Sequence, residues 1–187
     1  SKNAVARWLM AGFLRRFDEL VAMTGADRAL EAGCGEGHLS LRMARAGMNV
    51  RGIDLEPDAI ASARTNAAAS ARTVPFEVQS LYDLSPATDS APLIVSCEVL
   101  EHVPDPDGAL EVLTALARPW LLVSTPNEPL WRVLNLARGS YLADFGNTPG
   151  HIQHWSSGGL KRLLQRHARV EAVRTPLPWT MLLCRCD

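Results

Sequence analysis

The chain has 187 residues, 47% of them hydrophobic, and a formal net charge of −1. That is enough for one α/β domain with a sizeable core, and it leaves no basic excess for a polyanionic partner. No apolar run approaches the roughly 18 residues of a membrane span, and charges interrupt the N-terminal apolar segment, unlike a signal peptide. Four cysteines without a C-x-x-C pair predict a reduced, cytoplasmic setting. Ser1 in place of Met raises the expectation that the natural chain extends further at its N-terminus.

Val5, Trp8, Leu9, Phe13, Leu14, Phe17, Leu20 and Val21 recur every three or four residues and predict a helix over 3–23, closed by Thr24-Gly25. This helix is expected to cover one sheet edge, and it is also a candidate wall of a substrate mouth. A strand over 28–31, a glycine turn, a helix over 38–45 and a strand over 49–54 follow. Pro57 opens a helix that an Ala-rich run carries to Ala71. Strands are predicted over 74–80, 91–97 and 120–124, with a helix over 106–117 before the last of these. Residues 125–155 break the rhythm with Trp131, Tyr141, Phe145 and Trp155 among glycines and prolines, the mark of a lid or insertion. The first three aromatics could build an apolar substrate pocket or simply pack the insertion. Ser156 caps a last helix to His167, and strands follow over 169–175 and 180–186. Pro176-Leu-Pro178 is too short for a crossover helix, so these two strands should pair antiparallel. Alternating strands and helices predict a single domain, 1–187, built on a doubly wound, Rossmann-like, seven-stranded sheet.

Ala29-Leu-Glu-Ala-Gly-Cys-Gly-Glu-Gly-His38 is the stretch with the clearest chemistry. Glycines where a strand turns into a helix let the backbone bend sharply and approach a bound ligand. Gly33, Gly35 and Gly37 read G-x-G-x-G, a departure from the dinucleotide spacing G-x-G-x-x-G. Glu31 precedes the first glycine, where a diphosphate would be repelled and a cationic amino-acid end would be welcomed. Both features point to S-adenosylmethionine and away from a nicotinamide-dependent oxidoreductase. Asp54, 21 residues beyond Gly33, stands at the distance at which a carboxylate reaches a ribose hydroxyl pair.

Glu31-Ala-Gly-Cys-Gly-Glu-Gly37, Gly52-Ile-Asp-Leu-Glu56 and Cys97-Glu-Val-Leu-Glu-His-Val-Pro-Asp105 together resemble the class I S-adenosylmethionine-dependent methyltransferases, over nearly the whole chain. The resemblance implies a seven-stranded sheet with an antiparallel final strand. It implies that Gly33, Cys34, Gly35 and Gly37 cradle the methionine part, that Glu31 holds its amino group, and that Asp54 binds the ribose. Leu55 would pack on the adenine, with Ser80, Leu81 and Cys97 also lining the cofactor. Ser80-Leu81 stands where the family often has an acid for the adenine amino group.

Glu98, Glu101 and His102 are spaced i, i+3 and i+4, which on a helical turn brings three side chains together. Two carboxylates and an imidazole suffice to hold Mg²⁺ or Mn²⁺, with His151 or His154 as a further ligand. The element resembles those of the ubiquinone-biosynthesis O-methyltransferases and the RNA 3′-terminal 2′-O-methyltransferases, where His151-Ile-Gln-His-Trp-Ser would supply the later histidine. Three roles stay open: metal binding by Glu98, Glu101, His102 and His151; a metal-free base at His102, with Glu101 beside it; and structural hydrogen bonding. The expected acceptor is a small, partly apolar molecule methylated on a hydroxyl, handled by a monomer or homodimer. The scattered arginines speak against RNA. A non-catalytic module that kept the cofactor pocket is the alternative outside enzymes. Cys34 and Cys97 are read as small residues beside the pocket, Cys184 and Cys186 as packing on one strand face, and His38 and His167 as surface residues.

Overall fold

The computed structural model describes residues 4–70, 73–137 and 147–187. Asn3, Ala71, Tyr141 and Phe145, which the sequence placed in helices or in the insertion, lie outside the described residues. The strands are β1 (Arg28–Ala32), β2 (Asn49–Asp54), β3 (Phe76–Val78), β4 (Ala91–Cys97), β5 (Ala117–Pro126), β6 (Arg169–Arg174) and β7 (Trp179–Arg185). They form one seven-stranded sheet in the order β3-β2-β1-β4-β5-β7-β6. The first five are parallel, and β7 inserts antiparallel between β5 and β6. The expected antiparallel last strand is therefore present.

The helices are α1 (Ala4–Thr24), α2 (His38–Arg45), α3 (Pro57–Ala69), the short α4 (Pro86–Asp89), α5 (Pro106–Leu116), α6 (Leu130–Ala137) and α7 (Ser157–Leu164). Strand residues alternate between two cores, as a sheet covered on both faces requires. Leu93, Val95, Met181 and Leu183 face Phe17, Leu41 and Ile60 from α1, α2 and α3. Ile94, Leu121, Val123 and Leu182 face Leu110, Leu113 and Leu160 from α5 and α7. Cys184 and Cys186 belong to the second core.

Caps set several helix starts. Pro57 occupies the first turn of α3, the Asp105 carboxylate accepts the Gly108 N–H at 2.9 Å, and the Ser156 hydroxyl accepts the Gly159 N–H. Two helices escaped the sequence pattern. α4 is a single turn, too short for any periodicity. α6 lies inside the stretch expected to be irregular, its pattern cut short by the prolines and glycines around it. The apolar stripe of α1 is buried at Phe13, Phe17 and Leu20, whereas Val5 and Trp8 are 64% and 67% exposed. Phe13 meets Trp179, the first residue of β7, edge-on at 5.1 Å, and this contact marks where burial of α1 begins.

The chain winds outward from β1 to β3 and then returns to start β4 on the other side of β1. The crevice between the carboxyl ends of β1 and β4 is thus the switch point where such sheets bind ligands. Phe76 of β3 is clamped at its base. A Cβ on Gly37 would come within 2.6 Å of that ring, and a Cβ on Gly52 within 2.6 Å of it and 3.0 Å of the Cys34 sulfur. Gly52→Ala is expected to cost about 1–3 kcal/mol through overpacking. A lower urea midpoint for that variant is the check, and an unchanged midpoint would show that the ring can yield.

Candidate active site

The turn after β1 folds back on β2. Gly33 and Cys34 both donate their N–H to the Ile53 carbonyl, at 2.9 and 2.8 Å. All three loop glycines are left-handed, with φ of 80°, 51° and 78° at Gly33, Gly35 and Gly37. Their reasons differ. A Cβ on Gly33 would lie 2.2 Å from Val99 Cγ2, whereas one on Gly35 would meet nothing within 4 Å. Gly33 and Gly37 are needed for packing, and Gly35 leaves open space at a cavity wall.

That cavity, about 750 Å³, runs from Glu31 and Asp54 across Gly33, Cys34 and Gly35 to Glu98 and His102. Asp54 is fixed by its own neighbourhood: Gly35 N–H donates to Oδ2 at 2.7 Å and Glu56 N–H to Oδ1 at 3.0 Å. Glu31 is buried and accepts the Ser40 hydroxyl; burial pushes its carboxyl up to about 8. Leu55 projects at the rim, 65% exposed. Ser80 and Leu81 line the opposite wall, where the Ser80 hydroxyl accepts the Tyr82 N–H. Cys34 and Cys97 also line it, and burial holds both thiols up and neutral, which leaves neither suited to nucleophilic attack. His38 sits at the mouth, paired with Glu36 at 3.2 Å.

The Glu-x-x-Glu-His element is divided. Leu100–His102 is a single 3₁₀ turn, and Glu98 precedes it with φ 59°, a left-handed backbone that a side chain rarely adopts. Ser124 holds Glu98 twice: the Glu98 N–H donates to the Ser124 carbonyl at 3.0 Å, and the Ser124 hydroxyl donates to Glu98 Oε1 at 2.7 Å. The expected convergence of all three side chains on one helical turn is therefore corrected. Glu98 turns toward β5, and no helix extends across residues 98–102 to bring it back.

Glu101, His102 and His151 do converge, each offering one ligand atom within 4.8 Å of the others. Glu101 is 2% exposed, and neither of its carboxylate oxygens has a hydrogen-bond partner among the described residues. Burial pushes Glu98 and Glu101 upward, and the charge of Glu98 raises Glu101 further. His102 is exposed, with Nδ1 2.9 Å from the Gly150 carbonyl. A carbonyl only accepts, so Nδ1 carries the proton and Nε2 is left with its lone pair. His151 is buried, set edge-on to His102 at 4.8 Å and stacked on Trp131 at 6.2 Å. Its imidazole is pushed down to about 4, first by burial and then by His102. His154, the other candidate, is held instead by Asn147 and Arg132, each at 2.8 Å. His167 pairs with Asp107 at 2.7 Å, away from the cavity.

Two residues at the site were missed by sequence reasoning. Tyr82 lines the cavity and donates its hydroxyl to the Asp105 carbonyl at 2.8 Å. Trp179 packs against Trp131 at 5.8 Å and Phe13 at 5.1 Å, and its indole N–H supports the charged form of Glu98. The only signal for Trp179 was an aromatic directly after Pro176-Leu-Pro178.

Residues 6–167 match the family model described as a methyltransferase domain. The Ubiquinone biosynthesis O-methyltransferase of Xanthomonas campestris pv. campestris (strain B100) is 39% identical over 127 residues, covering 66% of this chain and 53% of that protein. The chain thus spans about half the length of the curated relatives it matches. Among solved structures, the magnesium protoporphyrin IX methyltransferase from Synechocystis PCC 6803 with bound SAH superposes with a TM-score of 0.76 at 19% identity, over 100% of this chain and 89% of that one. The [4+2]-cyclase SpnF superposes at 0.71 and 16% identity, over 92% of this chain and 81% of that one. At such identities the likeness concerns the fold.

Glu101 has a consequence for stability. Its folded pKa lies above the unfolded value, so rising pH ionises it first in the unfolded chain and stability falls between about pH 5 and pH 9. Glu101→Gln removes that loss and is expected to be the more stable protein at pH 9, by about 1–3 kcal/mol. Urea unfolding at both pH values is the check; equal slopes against pH in the two proteins would refute the assignment.

Proposed function

The chain belongs to the methyltransferase-domain family, and from that premise we propose that it transfers the methyl group of S-adenosylmethionine to a hydroxyl oxygen of a small, partly apolar acceptor. The observation that carries the proposal is one continuous cavity with acids at one end and Glu98 and His102 at the other. In it, Glu31 takes the cofactor's ammonium group and Asp54 its ribose hydroxyls, since each Asp54 oxygen spends only one lone pair on a backbone N–H. The space above Gly35 admits the methionine part, and Leu55 and Leu81 flank the adenine.

The methyl group then points toward the His102 end. Phe13, Trp179 and Trp131 form a ladder of rings leading to His151, and the half-buried Trp131 at its end offers the acceptor an apolar edge. His102 Nε2, lone pair outward, takes the acceptor's proton as the oxygen attacks. Methyl transfer depends mainly on positioning, because the sulfonium is already a reactive donor. The name of the matched relatives, an O-methyltransferase, supports oxygen as the methylated atom. The partnerless oxygens of Glu101 fit a divalent cation shared with His102 and His151. Such an ion, when bound, would take up the His102 Nε2 lone pair and would itself lower the pKa of the acceptor hydroxyl, in place of the metal-free base.

Glu31 makes cofactor binding pH-dependent. With its carboxyl near 8 in the free protein, binding a cation requires loss of a proton. Affinity for S-adenosylhomocysteine is expected to rise from pH 6 to pH 8, by up to about tenfold per unit, and then to level. Calorimetry should show this slope in the wild type and a flat, weak response in Glu31→Gln; the same slope in both would move the effect elsewhere. For the reaction itself, S-adenosylmethionine is offered with panels of phenolic, aliphatic-hydroxyl, amine and 3′-terminal RNA acceptors. Turnover on hydroxyl compounds, reduced about 100-fold in His102→Ala, is the expected result. Turnover on amines or RNA would replace the acceptor class, and tight cofactor binding without turnover on any panel would favour a binding module.

A further inference from the structure

We propose that Tyr82 is a specificity-determining clasp at the base end of the cofactor cavity, and that this end selects its purine by enclosure instead of by an acid on the purine's amino group. The inference rests on the methyltransferase reading, and it departs from the acid that the sequence resemblance implies after β3.

Two observations carry it. The first is a bridge between two walls. The cavity is bounded by the turn after β3, from Gln79 to Tyr82, and by Val103 and Pro104 beyond β4. In the sheet β2 and β1 lie between β3 and β4, which sets those two strands about 14 Å apart. The Tyr82 hydroxyl joins the two segments by donating to the Asp105 carbonyl at 2.8 Å. Both ends of this bridge are rigid. Ser80 sets the turn, its hydroxyl accepting the Tyr82 N–H at 3.2 Å and its carbonyl the Asp83 N–H at 3.1 Å. The Asp105 carbonyl also takes the Ala109 N–H at 3.1 Å, and the Asp105 carboxylate takes the Gly108 N–H at 2.9 Å. With both backbones fixed, the part left to move is the Tyr82 side chain, which is 41% exposed. Exposed side chains rotate within nanoseconds once free, so the bond to Asp105 is what holds the rim shut.

The second observation is the chemistry of the wall. Among the described residues that line it after β3, Gln79, Ser80, Leu81 and Tyr82, there is no carboxylate. Ser80 stands where the acid is expected, and its hydroxyl already caps the turn. Gln79 spends its side-chain carbonyl on Arg51 at 2.8 Å. Asp83, next in the chain, is not among the residues that line the cavity. Asp54 and Glu56 are tied together after β2, at the ribose end, by the Glu56 N–H on Asp54 Oδ1. A purine between Leu55 and Leu81 therefore meets apolar faces and a tyrosine ring. A site built to hydrogen-bond a ligand group rejects an analogue that lacks it, whereas an enclosure rejects added bulk. The two modes are separable.

The test uses the whole chain, S-adenosylhomocysteine and its N6,N6-dimethyl analogue, which adds bulk and has no amino hydrogen to donate. Affinities are measured by calorimetry and dissociation by stopped flow, in wild type, Tyr82→Phe and Tyr82→Ala. Wild type is expected to bind the dimethyl analogue at least about tenfold more weakly. Tyr82→Ala, which opens the rim, should bind the two compounds within about threefold of each other. The ratio of two affinities in one protein does not depend on how much of it is folded. Tyr82→Phe keeps the ring, loses the bridge, and should release S-adenosylhomocysteine about three- to tenfold faster. The proposal is overturned if wild type binds both compounds alike, or if Tyr82→Phe releases at the wild-type rate. It is also overturned if Tyr82→Ala still rejects the analogue, since an acceptor would then be reading the amino group. Wild-type protein that binds neither compound would sink the methyltransferase reading itself, and the clasp with it.

Discussion

The backbone carbonyl of Ile53 holds the active end of this protein together. It accepts the N–H of both Gly33 and Cys34, and so pulls the turn after β1 flat against β2. That closure needs a left-handed residue at the turn and no side chain beneath Val99, conditions only glycine meets at Gly33. Once the turn is down, Gly35 N–H reaches Asp54, Phe76 seats between Gly37 and Gly52, and Glu31 is sealed beneath the loop next to Ser40. The cavity is what remains above. Glu31 and Asp54 are therefore placed by the same backbone closure, one under the loop and one beside it, without any contact between their side chains being required.

Glu31 and Glu101 are buried around this crevice and Glu98 is half-buried at its wall, and loss of solvent pushes all three carboxyls upward. A protein selected only for stability would replace them, since burying a carboxyl without a cationic partner costs several kcal/mol or forces it neutral. The nearby acid at Asp89 shows the contrast. It is also buried, but Arg51, Ser85 and Thr88 all donate to it, and its carboxyl is pulled down. Asp89 is paired with an arginine, whereas Ser40 and Ser124 offer Glu31 and Glu98 neutral hydroxyls. Carboxyls pushed upward and gathered in one crevice mark it as the candidate functional site.

The fold and the cofactor end were legible in the sequence because both depend on short-range pattern. Glycines at alternate positions, an acid closing each of β1 and β2, and apolar runs of strand length are properties of neighbours in the chain. The acceptor end was less legible because it depends on contacts across the fold. Nothing near Glu98 announces that Ser124, 26 residues away, will claim its carboxyl. The i, i+3, i+4 spacing predicted convergence only on the assumption of a helical backbone, and the left-handed turn at Glu98 removes that assumption. Trp179 was passed over for the same reason. A single aromatic at a strand start has no periodicity, and its importance comes from Phe13 and Trp131 reaching it from distant elements. His151 could be picked out by resemblance, whereas its separation from His154 could not. That rests on whether each ring turns toward His102 or toward Asn147.

Folds of this kind carry more than one reaction, so the architecture alone cannot select the chemistry. Selection has to come from side chains at the far end of the cavity, and there the division of Glu98 from Glu101 matters most. Glu98 lines the cavity that would hold the methyl donor and is supported from behind by the buried Trp179. Glu101 sits on the 3₁₀ turn next to His102 and meets His151 there. A strained residue therefore separates two neighbouring acids into two environments, and such strain persists only where the surrounding structure over-determines it. Ser124 supplies that over-determination by gripping both the backbone and the side chain of Glu98. Ser124 thus holds the Glu98 carboxyl at the cavity wall, while Glu101 meets the two histidines.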